Sequence, residues 1–458
     1  MVKQKIVWSC KECGASQAKW SGSCSVCRNW GTFVEEKEIV DVEERFSAKK
    51  KDNARPLRVS EVQMHTATRL ATGLKEVDSL LGGGLVKGSL LLLGGEPGIG
   101  KSTLMLQLAH ALSSQGLVVL YICGEESVEQ TSLRAHRLGV GSETLFLFSE
   151  TQFSSVKKQI DILKPDILIV DSIQILYKGD IPSAPGSVVQ VRELATEFMH
   201  LAKGHSITTF LIGHVTKSGE IAGPRVLEHI VDVVLDFEGD RQQGYRLLRG
   251  TKNRFGPTDD IVLFQMKQEG LSEIANPSQE FLKERKAEHA GTVVMPMMEG
   301  SRAFLVEIQA LVGAAFYASP TRRSTGVDQN RLAILLAILE KKMGYALHRT
   351  DVFVSVAGGF KIIEPAADLA IVMAITSSFA NKTLDPSLVI IGEVGLGGEV
   401  RSILRVENRL KEALNLGFKK VVLPQSVVKN LPAFYKENLT LIGVSKVEEA
   451  IEKAFSSI

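Results

Sequence analysis

Apolar residues gather along this chain in short, nearly unbroken runs separated by stretches of helical period. Leu90 to Leu93 follow Ser89 and precede Gly94 without a polar interruption. Val118 to Cys123, Ile167 to Val170 ahead of Asp171, Ile207 to Ile212 and Ile230 to Asp236 repeat the pattern with small breaks. A strand with one wet face alternates apolar and polar residues, whereas a continuous run has no wet face. These runs therefore predict strands covered on both sides. Thr103 to Ala109 has helical spacing between the first two. Such alternation over about Val62 to Gly270 predicts a parallel sheet with helices on both faces, an α/β core. Further on, Gly291 to Val312 alternates as strands do, and Asn330 to Leu339 reads as a strongly apolar helix.

The junction of the first strand and helix carries chemistry. Gly95, Glu96, Pro97, Gly98, Ile99, Gly100, Lys101 and Ser102, with Thr103 behind them, form a phosphate-binding loop in its expected strand–loop–helix setting. Its glycines let backbone N–H groups curl round phosphate oxygens, and the helix start adds partial positive charge. Lys101 is expected at the β- and γ-phosphates of ATP, and Ser102 on Mg²⁺. Asp171, ending a buried strand, is the expected second Mg²⁺ ligand; a plain turn cap is the alternative. Glu125 and Glu126 follow another strand, so one of them can orient the attacking water or both can merely favour a helix dipole. His214, just past Ile212 and Gly213, reads equally as a γ-phosphate sensor or a polar strand terminus. Lys252-Asn253-Arg254-Phe255-Gly256 is a compact basic turn, for which a solvated hairpin tip is the plain reading.

At 458 residues the chain has room for two or three domains. Its formal charge of +2 supplies no global field for nucleic acid or membrane, so basic surface must be local. No run approaches the roughly eighteen apolar residues of a membrane helix, and Met1 to Trp8 lacks a signal-peptide core. The expected location is cytoplasmic. Cys10, Cys13, Cys24 and Cys27 form two C-x-x-C pairs, the spacing of a structural zinc site, with ten residues between the pairs. Two disulfides fit a reducing cytosol poorly. Trp20, Trp30 and Phe33 are the expected apolar cap of that module. Cys123 reads as a small buried residue. Charged segments near Glu35–Asn53 and Asn276–His289 mark boundaries, giving a cysteine module at 1–35, a linker at 36–60, the ATPase core at 61–275 and a C-terminal domain at 286–458.

Together the four cysteines, the phosphate loop with Thr103, Gly124-Glu125-Glu126-Ser127 and the Lys252–Gly256 turn resemble the bacterial RadA (Sms) family of DNA-repair proteins over the full length. The resemblance implies a RecA-like ATPase related to DnaB-type helicases that forms a homohexameric ring. It further implies binding of single-stranded and branched DNA, promotion of branch migration, and the RecA recombinase as a partner. It assigns Glu125 to water activation, His214 to phosphate sensing, and Lys252 and Arg254 to the ATP site of a neighbouring subunit.

The C-terminal third resembles the Lon proteolytic domain, whose nucleophile is serine and base lysine. Ala366 stands at the serine position in Gly359 to Asp368, and Glu407 at the lysine position in the segment from Gly392 to Leu410. A methyl group cannot attack a carbonyl, so proteolysis is not expected. Oligomerisation and DNA contact remain as roles, with Lys361, Arg401, Arg405 and Arg409 as exposed candidate phosphate ligands or scattered surface charge. The loops Tyr177 to Arg192 and Val215 to Arg225 are the expected pore contacts; apart from Tyr177 they carry no stacking platform, which fits backbone tracking. A translocating ATPase and an ATP-switched scaffold share every motif.

Overall fold

The computed structural model describes residues 3–17, 19–40, 69–213, 226–239, 244–258, 260–286, 289–315 and 320–456. It divides into two compact units, Met1–Glu273 and Ile274–Ile458.

The first unit begins with a three-stranded antiparallel sheet of β1 (Lys3–Cys10), β2 (Ser16–Gln17) and β3 (Phe33–Val40), with β1 central. Next comes a two-stranded ribbon of β4 (Arg69–Leu70) and β5 (Leu85–Val86), with α1 (Lys75–Leu80) between its strands. The main body then follows as β6 (Leu90–Gly95), α2 (Lys101–Ser113), β7 (Val119–Cys123), α3 (Val128–Arg137) and β8 (Leu145–Phe148). It continues through α4 (Phe153–Leu163), β9 (Ile167–Asp171), α5 (Val188–His205), β10 (Thr208–Ile212), α6 (Val226–Ile230) and β11 (Val233–Glu238). Strands β12 (Tyr245–Asn253), β13 (Ile261–Lys267) and β14 (Gly270–Glu273) close the unit.

Nine of these strands form one sheet in the order β14-β13-β12-β11-β6-β10-β9-β7-β8. From β8 to β11 every neighbour is parallel. Strands β12 to β14 add an antiparallel meander on the β11 side, which the apolar runs did not announce. The run of leucines in β6 is explained by two cores. Leu91 and Leu93 join the core that holds α1 and α2, while Leu90 and Leu92 join the one that holds α4 and α5. Strand β11 starts later than the apolar run predicts, because Val226–Ile230 is helical and Asp232 turns its carboxylate to the Leu90 N–H at 3.1 Å.

In the second unit α7 (Pro277–Leu282) precedes a seven-stranded mixed sheet. The boundary segment expected to hold a short helix does so at Pro277–Leu282, and that helix packs on the sheet: Ser278 donates to Glu412 at 2.5 Å and accepts the Leu305 N–H at 3.0 Å. The sheet contains the hairpin β15 (Thr292–Glu299) and β16 (Arg302–Ala314), then β17 (Arg322–Thr325) and, after α8 (Gln329–Met343), β18 (Thr350–Val356). Buried helix α9 (Asp368–Ala380) leads to β19 (Leu388–Ile390) and the small ribbon of β20 (Glu393–Val394) and β21 (Val400–Arg401). Helix α10 (Val406–Asn415), β22 (Lys420–Pro424), β23 (Thr440–Val444) and α13 (Val447–Ser456) complete it, with short α11 (Gln425–Val428) and α12 (Ala433–Asn438) after β22.

Arg409 corrects the picture of a basic surface there. Its side chain is 3 % exposed, paired with Glu364 and donating to the Pro296 carbonyl, so it serves packing. A second pair joins Arg331 to Asp368, whose carboxylate also accepts the Val394 N–H at 3.1 Å. Arg401 sits 2.5 Å from Glu399, and Arg405 donates to the Gly300 carbonyl. Lys361 is exposed.

Candidate nucleotide and metal sites

Strand β6 delivers the glycine loop and α2 starts at Lys101. Gly95 is required by its neighbour, since a Cβ there would stand 2.5 Å from the Phe237 carbonyl oxygen. Gly100 caps α2 with φ at 119°, a left-handed value that side chains resist. Lys101 is buried and donates to the carbonyls of Gly95 at 2.7 Å and Glu96 at 3.0 Å. Burial pushes its ammonium down to about 8, against the pull of Asp171, Glu125 and Glu96. The loop is also held from outside: Arg246 on β12, 6 % exposed, donates from Nε to the Ile99 carbonyl at 3.0 Å.

Residues far apart in sequence meet behind the loop. Parallel pairing sets Cys123 of β7 opposite Asp171 of β9. The resulting narrow cleft is lined by Ser102, Tyr121, Glu125, Asp171 and, farther out, Glu126 and Arg134. Tyr121, fully enclosed, donates its hydroxyl to Asp171 at 2.6 Å. Burial raises the Asp171 carboxyl above its ordinary range, opposed by hydrogen bonds from Ser102 and Tyr121. Glu125 accepts the Ser172 hydroxyl at 2.6 Å. Glu126 instead faces Arg134 at 2.5 Å, which separates the two adjacent acids. Burial also raises the Cys123 thiol. Two oxygens from Ser102 and Asp171 beside a buried lysine suit Mg²⁺, a hard cation that takes few protein ligands alongside phosphate. His214 and the loop 215–225 lie outside the described residues.

The basic turn is at the opposite end of the strands from the phosphate loop. Lys252 and Asn253 end β12 opposite Val234 and Val233, at the start of β11. Lys252 donates to the carbonyls of Glu228 and, at 2.8 Å, Val231, at the end of α6. Burial lowers its ammonium. Arg254 is half exposed and contacts Asp232, Nη1 to Oδ1, at 3.2 Å.

In the N-terminal sheet the four sulfurs lie within 4.8 Å of one another, with Cys10–Cys27 at 3.6 Å and Cys13–Cys24 at 3.5 Å. Zinc–thiolate bonds of about 2.3 Å set tetrahedral sulfurs roughly 3.8 Å apart, so the four fit one ion. Each pair makes the same turn, closed by Gly14 N–H to Cys10 O and Arg28 N–H to Cys24 O, both at 2.9 Å. Phe33 is buried against Cys10 and Cys24. Trp20 and Trp30 are 59 % and 81 % exposed and do not form the expected cap; Trp8 and Ala15 pack there instead.

Similarity to known proteins follows this layout. Residues 8–35 match a rubredoxin metal-binding domain, 53–220 an AAA domain, and 339–457 the C-terminal proteolytic domain of Lon protease (S16). The DNA repair protein RadA of Bacillus subtilis is 48 % identical over 455 residues, covering 98 % of this chain and 99 % of that protein. RadA of Chlamydia muridarum is 49 % identical over 449 residues, 98 % of each chain. This chain belongs to the RadA family of DNA-repair proteins. RadA of Streptococcus pyogenes serotype M1 is similar along the whole length, 44 % identical over 456 residues with complete coverage of both chains. The ATPase domain and the four-cysteine metal module thus stand on both geometry and similarity. Within this RadA-family core, Tyr121, Ser172, Asp232 and Arg246 are residues that motif reading passed over. Arg246 had one signal: it occupies an inward position of the alternating strand β12.

Proposed function

We propose that this chain is a DNA-dependent ATPase that forms homohexameric rings, translocates on single-stranded DNA and promotes branch migration of recombination intermediates. The position of Arg254 carries the reading. Strands β11 and β6 are parallel with Val233 level with Leu91 and Phe237 level with Gly95. Asn253 pairs with Val233, so the turn lies four residues, about 13 Å at some 3.3 Å per residue, below the start of its own phosphate loop. A guanidinium at that end of the strands serves phosphate only if the phosphate belongs to another subunit, which supports assembly in a ring.

In such a ring each residue has a distinct task. Backbone N–H groups of the loop and Lys101 hold the phosphates, while Ser102 and Asp171 hold Mg²⁺, which neutralises charge as the γ-phosphoryl leaves. Glu125, anchored by Ser172, orients water, and His214 contacts the γ-phosphate. Arg254 of the neighbour offsets charge in the transition state, with Lys252 beside it. The zinc module contacts a partner, the RecA recombinase being the first candidate, and the protein works in the cytoplasm. The C-terminal domain lacks the serine and lysine of a Lon dyad and serves assembly and DNA contact.

The test mixes two inactive variants. Arg254→Ala binds ATP but hydrolyses it slowly, and Lys101→Ala hydrolyses none; mixed rings regain part of the activity where an intact loop meets an intact finger. Absence of complementation would count against a trans finger, provided light scattering shows that each variant assembles and a tag on one variant co-purifies the other. A branch-migration assay with purified protein then separates motor from scaffold: ATP turnover that moves no junction supports the scaffold.

A further inference from the structure

Asp232 is almost fully enclosed, and three elements converge on its carboxylate. Oδ2 accepts the Leu90 N–H at 3.1 Å, which fixes the start of β6. Oδ1 faces Arg254 Nη1 at 3.2 Å and Lys203 Nζ, from α5, at 3.4 Å. The backbones meet as well, Arg254 N–H donating to the Asp232 carbonyl at 3.1 Å. Arg254 thus has one side tethered and is 49 % exposed, while its holder is 4 % exposed. An arginine has several rotatable bonds, and a free one loses that freedom whenever it must meet a phosphate. A buried carboxylate 3.2 Å from Nη1, with the His229 carbonyl accepting from Nη2 at 3.5 Å, removes much of this cost, and the exposed half of the side chain is left to meet a ligand.

We propose that Asp232 is a positioning residue for Arg254, holding the guanidinium aimed away from its own subunit toward the nucleotide of the next. The proposal rests on the reading of Arg254 as a trans-acting finger. Asp232 touches no phosphate itself: it is anchored to β6, and its negative charge would repel one. Lys203 shares the oxygen and keeps the carboxylate paired when Arg254 leans toward a neighbour.

Asp232→Asn keeps an oxygen for the Leu90 N–H and removes the charge that grips Arg254. In assembled protein we expect kcat to fall about ten- to hundredfold, as for an ångström-scale misplacement, with KM for ATP changed less than about twofold. On an Arg254→Ala background the same substitution should cost nothing further, because the group it positions is gone. Full kcat for assembled Asp232→Asn overturns the proposal, as does an equal slowing on the Arg254→Ala background, which would mean that Asp232 acts elsewhere. Full kcat for Arg254→Ala alone overturns the finger reading instead, so the two failures are told apart. If Asp232→Asn does not assemble, Asp232→Glu keeps the charge but displaces it by a methylene; the same kcat loss at constant KM is expected, and unchanged kcat overturns the proposal.

Discussion

The Tyr121 hydroxyl lies 2.6 Å from Oδ2 of Asp171, a neutral donor enclosed in the core and aimed at the carboxylate expected on magnesium. Burial holds the tyrosine proton well above its ordinary range, so the phenol stays a donor at any working pH. Tyr121→Phe removes only this hydrogen bond. Losing a partner that orients a ligating carboxylate typically costs about tenfold or more in metal affinity, so Mg²⁺ half-saturation should rise on the order of tenfold, read both in ATPase assays and in Mn²⁺ binding followed by electron paramagnetic resonance. Unchanged metal affinity would leave the bond structural.

Lys101 ties nucleotide binding to pH. Its folded, nucleotide-free ammonium is lowered to about 8 by burial, and phosphate favours the charged form. ATP binding therefore draws a proton onto Lys101 wherever the free protein has lost it. Affinity should be level below about pH 8 and fall above it, by up to about tenfold per unit for one linked proton. Titration with a fluorescent ATP analogue between pH 7 and 9.5 reads this, and a flat profile would refute it. Lys101→Ala should abolish turnover and the pH dependence together.

The cysteine module should bind one zinc ion per chain, because four thiolates at tetrahedral spacing leave no open position. Changing Cys10 and Cys13 to serine should remove the ion, as elemental analysis will show. Among the described residues only a small cluster around Phe33 packs on the sulfurs, so the thermal transition of the ATPase core should move little. Zinc retained by the double variant would exclude this ligand set.

Arg409→Met should unfold the C-terminal unit at lower denaturant. Glu364 keeps its charge in a largely enclosed position and loses its partner, and breaking a buried pair costs about 3–5 kcal/mol. Chemical denaturation of the full chain, with far-ultraviolet circular dichroism, measures the shift. An unshifted transition would return Arg409 to the list of surface cations.

Some of this protein follows from sequence alone, because the cause is local. Leu90 to Leu93 had to be a doubly covered strand, and the glycines with Lys101 and Ser102 had to make a phosphate loop, since each constraint acts within a few residues. The C-x-x-C spacing likewise defines a metal turn before any fold is known. Tertiary structure decided which charges meet. Tyr121 reaches Asp171 because β7 and β9 are neighbours, and Arg246 reaches Ile99 because the β12 meander adds to β11, the last of the parallel strands. The separation of Glu125 from Glu126 depends on Ser172 and Arg134, which no spacing connects. Arg409 looked like surface and is core, while Trp20 and Trp30 looked like core and are surface. In each case burial is a property of what arrives from elsewhere in the chain, and the Coulomb and desolvation energies of a side chain take their values only once those neighbours are in place.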